Sequence, residues 1–317
     1  IPPTIAGIVL AYRGRLLAGG ILTAFFIALQ IMSNHVQMSY YFLFVILFIA
    51  GAYFEDAWRN KTLPGFFKAS AVLLVAALIG VAANLSNLYH TYTYSKETMR
   101  GKSELVQTGN AAKQTSSGLD RDYITNWSYG IGETWTLLVP NFKGGSSAAP
   151  LSQSETAMEK ANPMYGSLYN SFPQYFGSQP WTAGPVYVGA FVLFLFVLGC
   201  FIVKGPLKWA LLGATFFSIV LAWGKNFMPL TDFFIDYIPM YNKFRAVSSI
   251  LVIAEFTIPL LAIFALKRVL EEPGIWKTNK KAFGISLALT AGVALLLVIA
   301  PGSLGSGFVP AQEAQML

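Results

Sequence analysis

The chain has 317 residues, of which 55% are hydrophobic and only 12% charged, with a mean hydropathy of +0.53 and a net charge of +7. A soluble domain carries about a quarter charged residues, so this composition excludes an ordinary water-soluble globule and calls for lipid as solvent. The positive balance does not point to nucleic acid, because the basic residues sit mainly in short links beside apolar runs, where membrane topology puts them.

A single cysteine, Cys200, lies within an apolar run, so no internal disulfide can form and cysteine usage is silent on redox compartment. The sequence opens Ile-Pro-Pro, with neither a methionine nor a signal-peptide pattern, and reads as an interior fragment of a longer protein.

In chain order, seven apolar segments approach the roughly 20 residues a helix needs to cross hydrocarbon. They cover approximately 16–32, 38–54, 66–83, 184–203, 207–222, 247–266 and 283–300. Only helices or closed barrels satisfy their backbone in lipid, and these continuous runs lack the alternation of barrel strands. The expected fold is therefore all-α and polytopic. It has three spans in 1–83, a loop domain over 84–183 and four spans in 184–317.

Lysine and arginine set the orientation. One set of links holds Arg13, Arg15, Arg59, Lys61, Lys68, Lys204, Lys208, Lys267, Arg268, Lys277, Lys280 and Lys281, twelve in all. The opposite set, leaving aside the long interval, holds three: Lys225, Lys243 and Arg245. The positive-inside bias puts the first set in the cytoplasm and the long interval outside. The seven basic residues of the interval weigh little, because long loops translocate regardless of charge.

The first hairpin turns outside through Ser33-Asn34-His35-Val36-Gln37. One reading makes Ser33 and Asn34 caps for the next helix, accepting from its orphan N–H groups. The sharper reading makes His35 and Gln37 hydrogen-bond donors to an outer-surface ligand. Spacing favours the cap. The link from Glu55 to Phe67 is an elbow broken at Pro64-Gly65.

The polar interval from Asn84 to Ala183 opens with alternating aromatic and polar residues. Tyr89, Tyr92 and Tyr94 suit an interfacial belt better than a substrate-stacking platform. Residues 145–165 are small, polar and expected to be mobile. The flanking pieces, Gly118 to Gly145 and Tyr165 to Trp181, are rich in aromatics and glycine. They are expected to fold against the bundle through short helices.

Within Gly118 to Gly145, Asp120-Arg121-Asp122 fits a D-x-D pattern whose two carboxylates can share a divalent cation, the one candidate cofactor. The plainer reading pairs Arg121 with one carboxylate. Glu133, between Gly132 and Trp135, has two readings of equal weight. Desolvation among aromatics would raise its pKa toward the range of a general base; alternatively it caps a helix starting near Thr134. Trp127 in the same stretch is a substrate-binding candidate.

In the outer link 223–246, Lys225, Lys243 and Arg245 can hold a lipid phosphate, Arg as a bidentate fork and Lys as a point charge. Plain anchoring to anionic lipid is the alternative. Glu255 lies inside the sixth apolar segment, four residues before Pro259. An acid at membrane depth is a functional-site hypothesis by default, against a protonated or Arg-paired structural acid.

Several blocks in order carry a family resemblance: GLDRDYITNWSYGIGETWTLLVPNFKGG, QPWTAGPVYVGA, LAWGKNF, YIPMYNKFRAVSSILVIAEF and the hairpin SNHVQMSYY. Over roughly Ala11 to Leu266 the chain resembles the bacterial YfhO-like membrane proteins, especially versions from Bacteroidetes. That family is grouped with the GT-C glycosyltransferases, multi-span enzymes using polyprenyl-phosphate-linked sugars at the outer membrane face. The resemblance implies an inner-membrane protein with a periplasmic loop, and an inverting sugar transfer to an envelope acceptor. It also implies an acidic residue deprotonating the acceptor and basic residues holding the departing lipid phosphate.

The GT-C catalytic aspartate lies in the first outer loop, and this chain reads as beginning several spans later. No residue here takes that role by matching. Glu133, Asp120 and Asp122 are the candidate catalytic participants, and Arg245 and Lys243 the candidate phosphate ligands. Lys225, His35, Gln37, Glu255 and Trp127 complete the substrate-binding set.

Two other classes stay open. A lipid-linked sugar flippase or transporter would share the spans and the intramembrane acid, although no internal repeat is visible. A noncatalytic membrane subunit would use the aromatic loop to dock envelope protein partners. The Asn-Xaa-Ser/Thr sites at Asn60, Asn84 and Asn126 do not discriminate between these.

Overall fold

The computed structural model describes residues 1–98, 118–300 and 302–303. The later part of the tyrosine-rich opening, from Met99 to Leu105, lies outside the described residues, as do the interval's basic residues Arg100, Lys102 and Lys113. Among the described residues the protein is all-helical, and extended backbone pairs only in isolated bridges such as Gly144 with Tyr175 and Pro150 with Pro173.

Among the described residues, four helices are long and apolar enough to cross a membrane: Val36–Arg59, Leu63–Ala82, Val247–Glu271 and Lys280–Ile299. A fifth span results if Pro206–Ala222 and Gly224–Tyr237, bent by 105° at their junction, count as one. The expected segments 16–32 and 184–203 correspond to shorter apolar helices of 17 and 13 residues, Leu16–Met32 and Ala190–Ile202. Large apolar side chains cover much of the surface: Leu17 is 77% exposed, Phe216 72% and Val298 75%. Water does not solvate such a surface well, whereas lipid does.

By its internal contacts the chain forms two compact units. One comprises Ile1–Arg121, Lys204–Ser218 and Pro239–Phe244; the other comprises Asp122–Val203, Ile219–Ile238 and Arg245–Leu317.

The first unit begins with α1 (Pro2–Tyr12) and α2 (Leu16–Met32), a hairpin turned at Gly14 with φ +88°. No apolar segment was expected ahead of residue 16, where the chain opens with two prolines. Yet proline fits a first helical turn, where its missing N–H has no partner to lose. α3 (Val36–Arg59) and α4 (Leu63–Ala82) follow, and α5 (Leu85–Lys96) carries the exposed Tyr89, Tyr92 and Tyr94. Asn84 ties α4 to α2, its side-chain amide donating to Ala28 O at 2.9 Å.

The first turn corrects the capping expectation. Ser33 ends α2, its hydroxyl donating back to Gln30 O at 2.6 Å, and Asn34 adopts φ +57°. His35 is the residue before α3, which starts without a side-chain cap. Both small polar residues therefore close the preceding helix. Asn tolerates the left-handed region, and such a residue after a helix is a C-terminal signal.

In the second unit, α6 (Arg121–Thr125) and α7 (Glu155–Met158) are short helices of the loop, and α8 (Ala190–Ile202) returns to the apolar layer. α9 (Pro206–Ala222), which belongs to the first unit as far as Ser218, leads through a 3-10 turn, Gly224–Phe227, into α10 (Met228–Tyr237). The link 223–246, expected as a loop, is thus largely helical. α11 (Val252–Glu271) packs on α8 around Leu195, Leu198, Ile202, Ala262 and Ala265. α12 (Ile275–Thr278) precedes the last span, where α13 (Lys280–Leu287) passes through a π turn, Ala288–Gly292, into α14 (Val293–Ile299). Inside α11, Pro259 lacks the N–H that the Glu255 carbonyl would otherwise receive, a local break in the helical ladder.

Residues 145–165, expected to be mobile, hold three short helical turns. Ser154 Oγ accepts from Ala157 N, and Asn162 Oδ1 accepts from Met164 N at 3.0 Å. Small polar residues here cap turns. Low apolar content removed a core from the segment without removing its local hydrogen bonds.

Candidate functional site

The loop of the second unit is organised around Glu133, which is 3% exposed within the 3-10 helix Gly132–Leu137. Glu133 Oε2 accepts from Gly130 N at 2.5 Å and Ser178 N at 3.1 Å, while Oε1 accepts from the Tyr175 hydroxyl. A buried carboxylate needs such donors to offset its lost hydration. The acid stands in the first turn of that helix. The carboxylate clamps two loop segments together, and the backbone reaches it only because Gly177 carries no side chain. A Cβ there would stand 2.2 Å from Oε1.

The network continues outward. Tyr175 Oη accepts from Gln179 N at 3.0 Å, and the Ser248 hydroxyl donates to Gln179 Oε1 at 2.9 Å. Ser248 N donates to Trp127 O at 3.0 Å, and the Trp127 indole N–H donates to Trp181 O at 3.0 Å. The buried acid is thereby linked, bond by bond, to Trp127 and to the start of the helix that follows Arg245.

On this frame stands the exposed side chain of Arg245. The Arg245 guanidinium lies 5.6 Å from the ring centroids of both Tyr123 and Trp127, and Nη1 donates to Tyr123 Oη at 2.8 Å. Two aromatic faces attract and orient a cation. Such a platform suits a phosphate or carboxylate, which the guanidinium fork can meet with two N–H groups.

The polypeptide around the platform is fixed to the bend after α9. Ser128 Oγ accepts from Lys225 N at 2.8 Å, Tyr129 O accepts from the Asn226 amide at 2.9 Å, and the Trp223 indole donates to Thr134 Oγ1 at 3.0 Å. Gly224, at φ +46°, leaves room for this approach, since a Cβ would lie 2.1 Å from Ser128 Oγ. The Lys225 side chain is exposed, although its backbone is tied down.

Burial and charge shift three loop groups. Burial pushes the Tyr175 phenol far up, and the adjacent Glu133 charge pushes in the same direction. Tyr129 is raised first by burial and then by Glu133. Burial lowers Lys143, and the Glu133 charge opposes that change.

The remaining candidates are divided between the two units. Asp120 and Asp122 are exposed, and among the described residues no group of three or more His, Cys, Asp or Glu side chains is arranged to hold a metal ion. In the first unit, Gln37 donates to the Tyr41 hydroxyl at 2.9 Å, His35 is exposed before α3, and burial lowers Lys243. In the second unit Glu255 is exposed in the first turn of α11, and no arginine pairs with it among the described residues. Sequence reasoning missed Tyr123, Tyr175 and Gln179. Their signal was weak, because the partners that give them meaning are distant in sequence.

No family model matches the chain, and neither a curated protein nor a solved structure is similar to it.

Proposed function

We propose that the chain works in a bacterial inner-membrane glycosyltransferase of the GT-C type, moving a sugar from a polyprenyl-phosphate donor to an envelope acceptor at the periplasmic face. Two things support this reading: the ordered sequence blocks that resemble YfhO-like proteins, and the Arg245 guanidinium held exposed over Tyr123 and Trp127. The second carries the mechanism. Arg245 meets the donor phosphate and stabilises the charge that grows on it as the glycosidic oxygen departs. The acceptor hydroxyl gives its proton to a carboxylate, its oxygen attacks the anomeric carbon from the opposite face, and polyprenyl phosphate leaves with the bonding pair.

Asp122, exposed and adjacent in sequence to Tyr123, is the carboxylate we assign to that proton. Glu133 serves as a positioning residue, because its oxygens are committed to loop donors. In the test, purified protein receives a polyprenyl-phosphate sugar and an envelope acceptor fraction. Release of polyprenyl phosphate with an inverted product linkage is expected, and loss of both in Asp122→Asn. Donor binding without release in the wild type would contradict catalysis.

One observation favours a second reading. Met164, Phe172 and Trp181, 80%, 45% and 53% exposed, give the loop an apolar surface that suits a noncatalytic subunit docking an envelope protein. Purification of a stoichiometric protein partner, without transfer activity, would favour it.

A further inference from the structure

A cavity of about 470 Å³ opens within the first unit, where the α1–α2 link, the end of α3, the start of α4 and the start of α9 converge. Its volume falls in the range of about 300–1,000 Å³ seen for small-molecule sites. Arg13, Lys68 and Lys204 all line it, and each comes from a different link of the strongly basic set. Facing these three cations is one carboxylate, Asp56. None of the three cations forms an ion pair among the described residues. Arg59, on the same link as Lys68, and Lys267 and Arg268, on another link of the basic set, are by contrast each paired with a glutamate one helical turn away.

Convergence of like charges is unfavourable unless an anion offsets it. Helix dipoles do not explain it, because the cavity receives the starts of α4 and α9 and the ends of α1 and α3, whose partial charges are opposite. The side chains therefore decide the sign, and it is positive. One wall is rigid and apolar: the Tyr12 ring stacks on Tyr53 at 5.0 Å and on Phe66 at 5.2 Å, with interplanar angles of 15° and 4°. Leu16 lines the cavity and Leu17, beside it, is exposed, so an acyl chain leaving the cavity has an apolar surface to follow.

We infer that this cavity is a binding site for a phosphate ester bearing a hydroxyl group, with Arg13, Lys68 and Lys204 on the phosphate and Asp56 accepting from the hydroxyl. The headgroup of an anionic phospholipid supplies that chemistry, as does a soluble glycerol phosphate. Basic pockets between spans on the positive face of membrane proteins take such headgroups. The site is separate from the Arg245 platform and does not depend on the proposed transfer.

The test places the protein in nanodiscs of phosphatidylglycerol with phosphatidylcholine and counts retained lipids by native mass spectrometry. A parallel arm uses phosphatidylcholine alone and reads the thermal shift caused by glycerol phosphate. The wild type should enrich phosphatidylglycerol about tenfold or more over its share of the nanodisc, and Arg13→Gln/Lys68→Gln/Lys204→Gln should lose the enrichment. Lys280→Gln/Lys281→Gln, on another link of the basic set, should keep it. A glycerol phosphate shift that the triple variant loses, without lipid enrichment, would make the soluble ester the ligand. Equal loss in both variants, or no wild-type response in either arm, would overturn the site. Should the triple variant fail to fold, Lys204→Gln alone must show partial loss.

Discussion

The Tyr175 hydroxyl donates to Glu133 Oε1, joining two loop segments 42 residues apart in the chain. Two backbone amides, Gly130 N and Ser178 N, complete the acceptance of that carboxylate. Removing the acid leaves three donors without an acceptor in a site that is 3% exposed. Glu133→Ala should therefore destabilise the loop by about 3 kcal/mol or more, and Tyr175→Phe by about 1.5–3 kcal/mol. Protease resistance of the loop in detergent measures both. Loop cleavage as slow as in the wild type would show that the clamp is dispensable.

Gly177→Ala tests the same clamp from its backbone side. The added Cβ would meet Glu133 Oε1 at 2.2 Å and Tyr175 Oη at 2.1 Å, atoms already fixed by their hydrogen bonds. Overpacking of this kind costs about 1–3 kcal/mol. A lowered unfolding temperature is expected, with a smaller further loss when Tyr175→Phe is added, because both changes act on one contact.

The tyrosines also fix a pH dependence. Tyr129 and Tyr175 have folded pKa values raised above their ordinary value of 10.0, mainly by burial. Above that pH the unfolded chain loses these protons while the folded loop keeps them, so the folded state binds more protons and stability falls as pH rises. Lys143, lowered from 10.5, has the opposite sign, and its contribution is complete once the unfolded lysine is neutral. Loop unfolding should therefore become easier above about pH 11, beyond the ordinary lysine range. Tyr175→Phe should flatten that slope. An unchanged slope would contradict the assignment.

At the Arg245 platform, charge and shape separate. Arg245→Lys keeps a cation but loses the planar fork that lies against Tyr123 and Trp127. Donor binding should fall about tenfold in Arg245→Ala and by less in Arg245→Lys, since charge-assisted contacts are the strong ones. Trp127→Leu should weaken binding with the charge intact. Isothermal binding of a polyprenyl-phosphate analogue measures each.

The apolar runs made the helical fold legible, because lipid demands continuous hydrophobicity whatever the neighbours. Helix ends were less so. Asn34 reads as a cap for α3, and the packed turn makes it a left-handed close of α2 instead. The bend at Trp223-Gly224 was hidden for a related reason: the polar letters of GKNF suggest a loop, yet Ser128 and Tyr129 supply its partners from nearly a hundred residues away. Glu133 was noticed from its aromatic and glycine neighbours, but its role depends on Tyr175 and Ser178, which no local pattern connects to it.

The central claim concerns a lipid phosphate at Arg245, and native mass spectrometry of the protein in detergent tests it most directly. A co-purified polyprenyl phosphate, or its glycosylated form, is expected on the wild type and should be lost from a folded Arg245→Ala variant. The same polyprenyl species retained in equal amount by both proteins would contradict the account, and so would its absence from both.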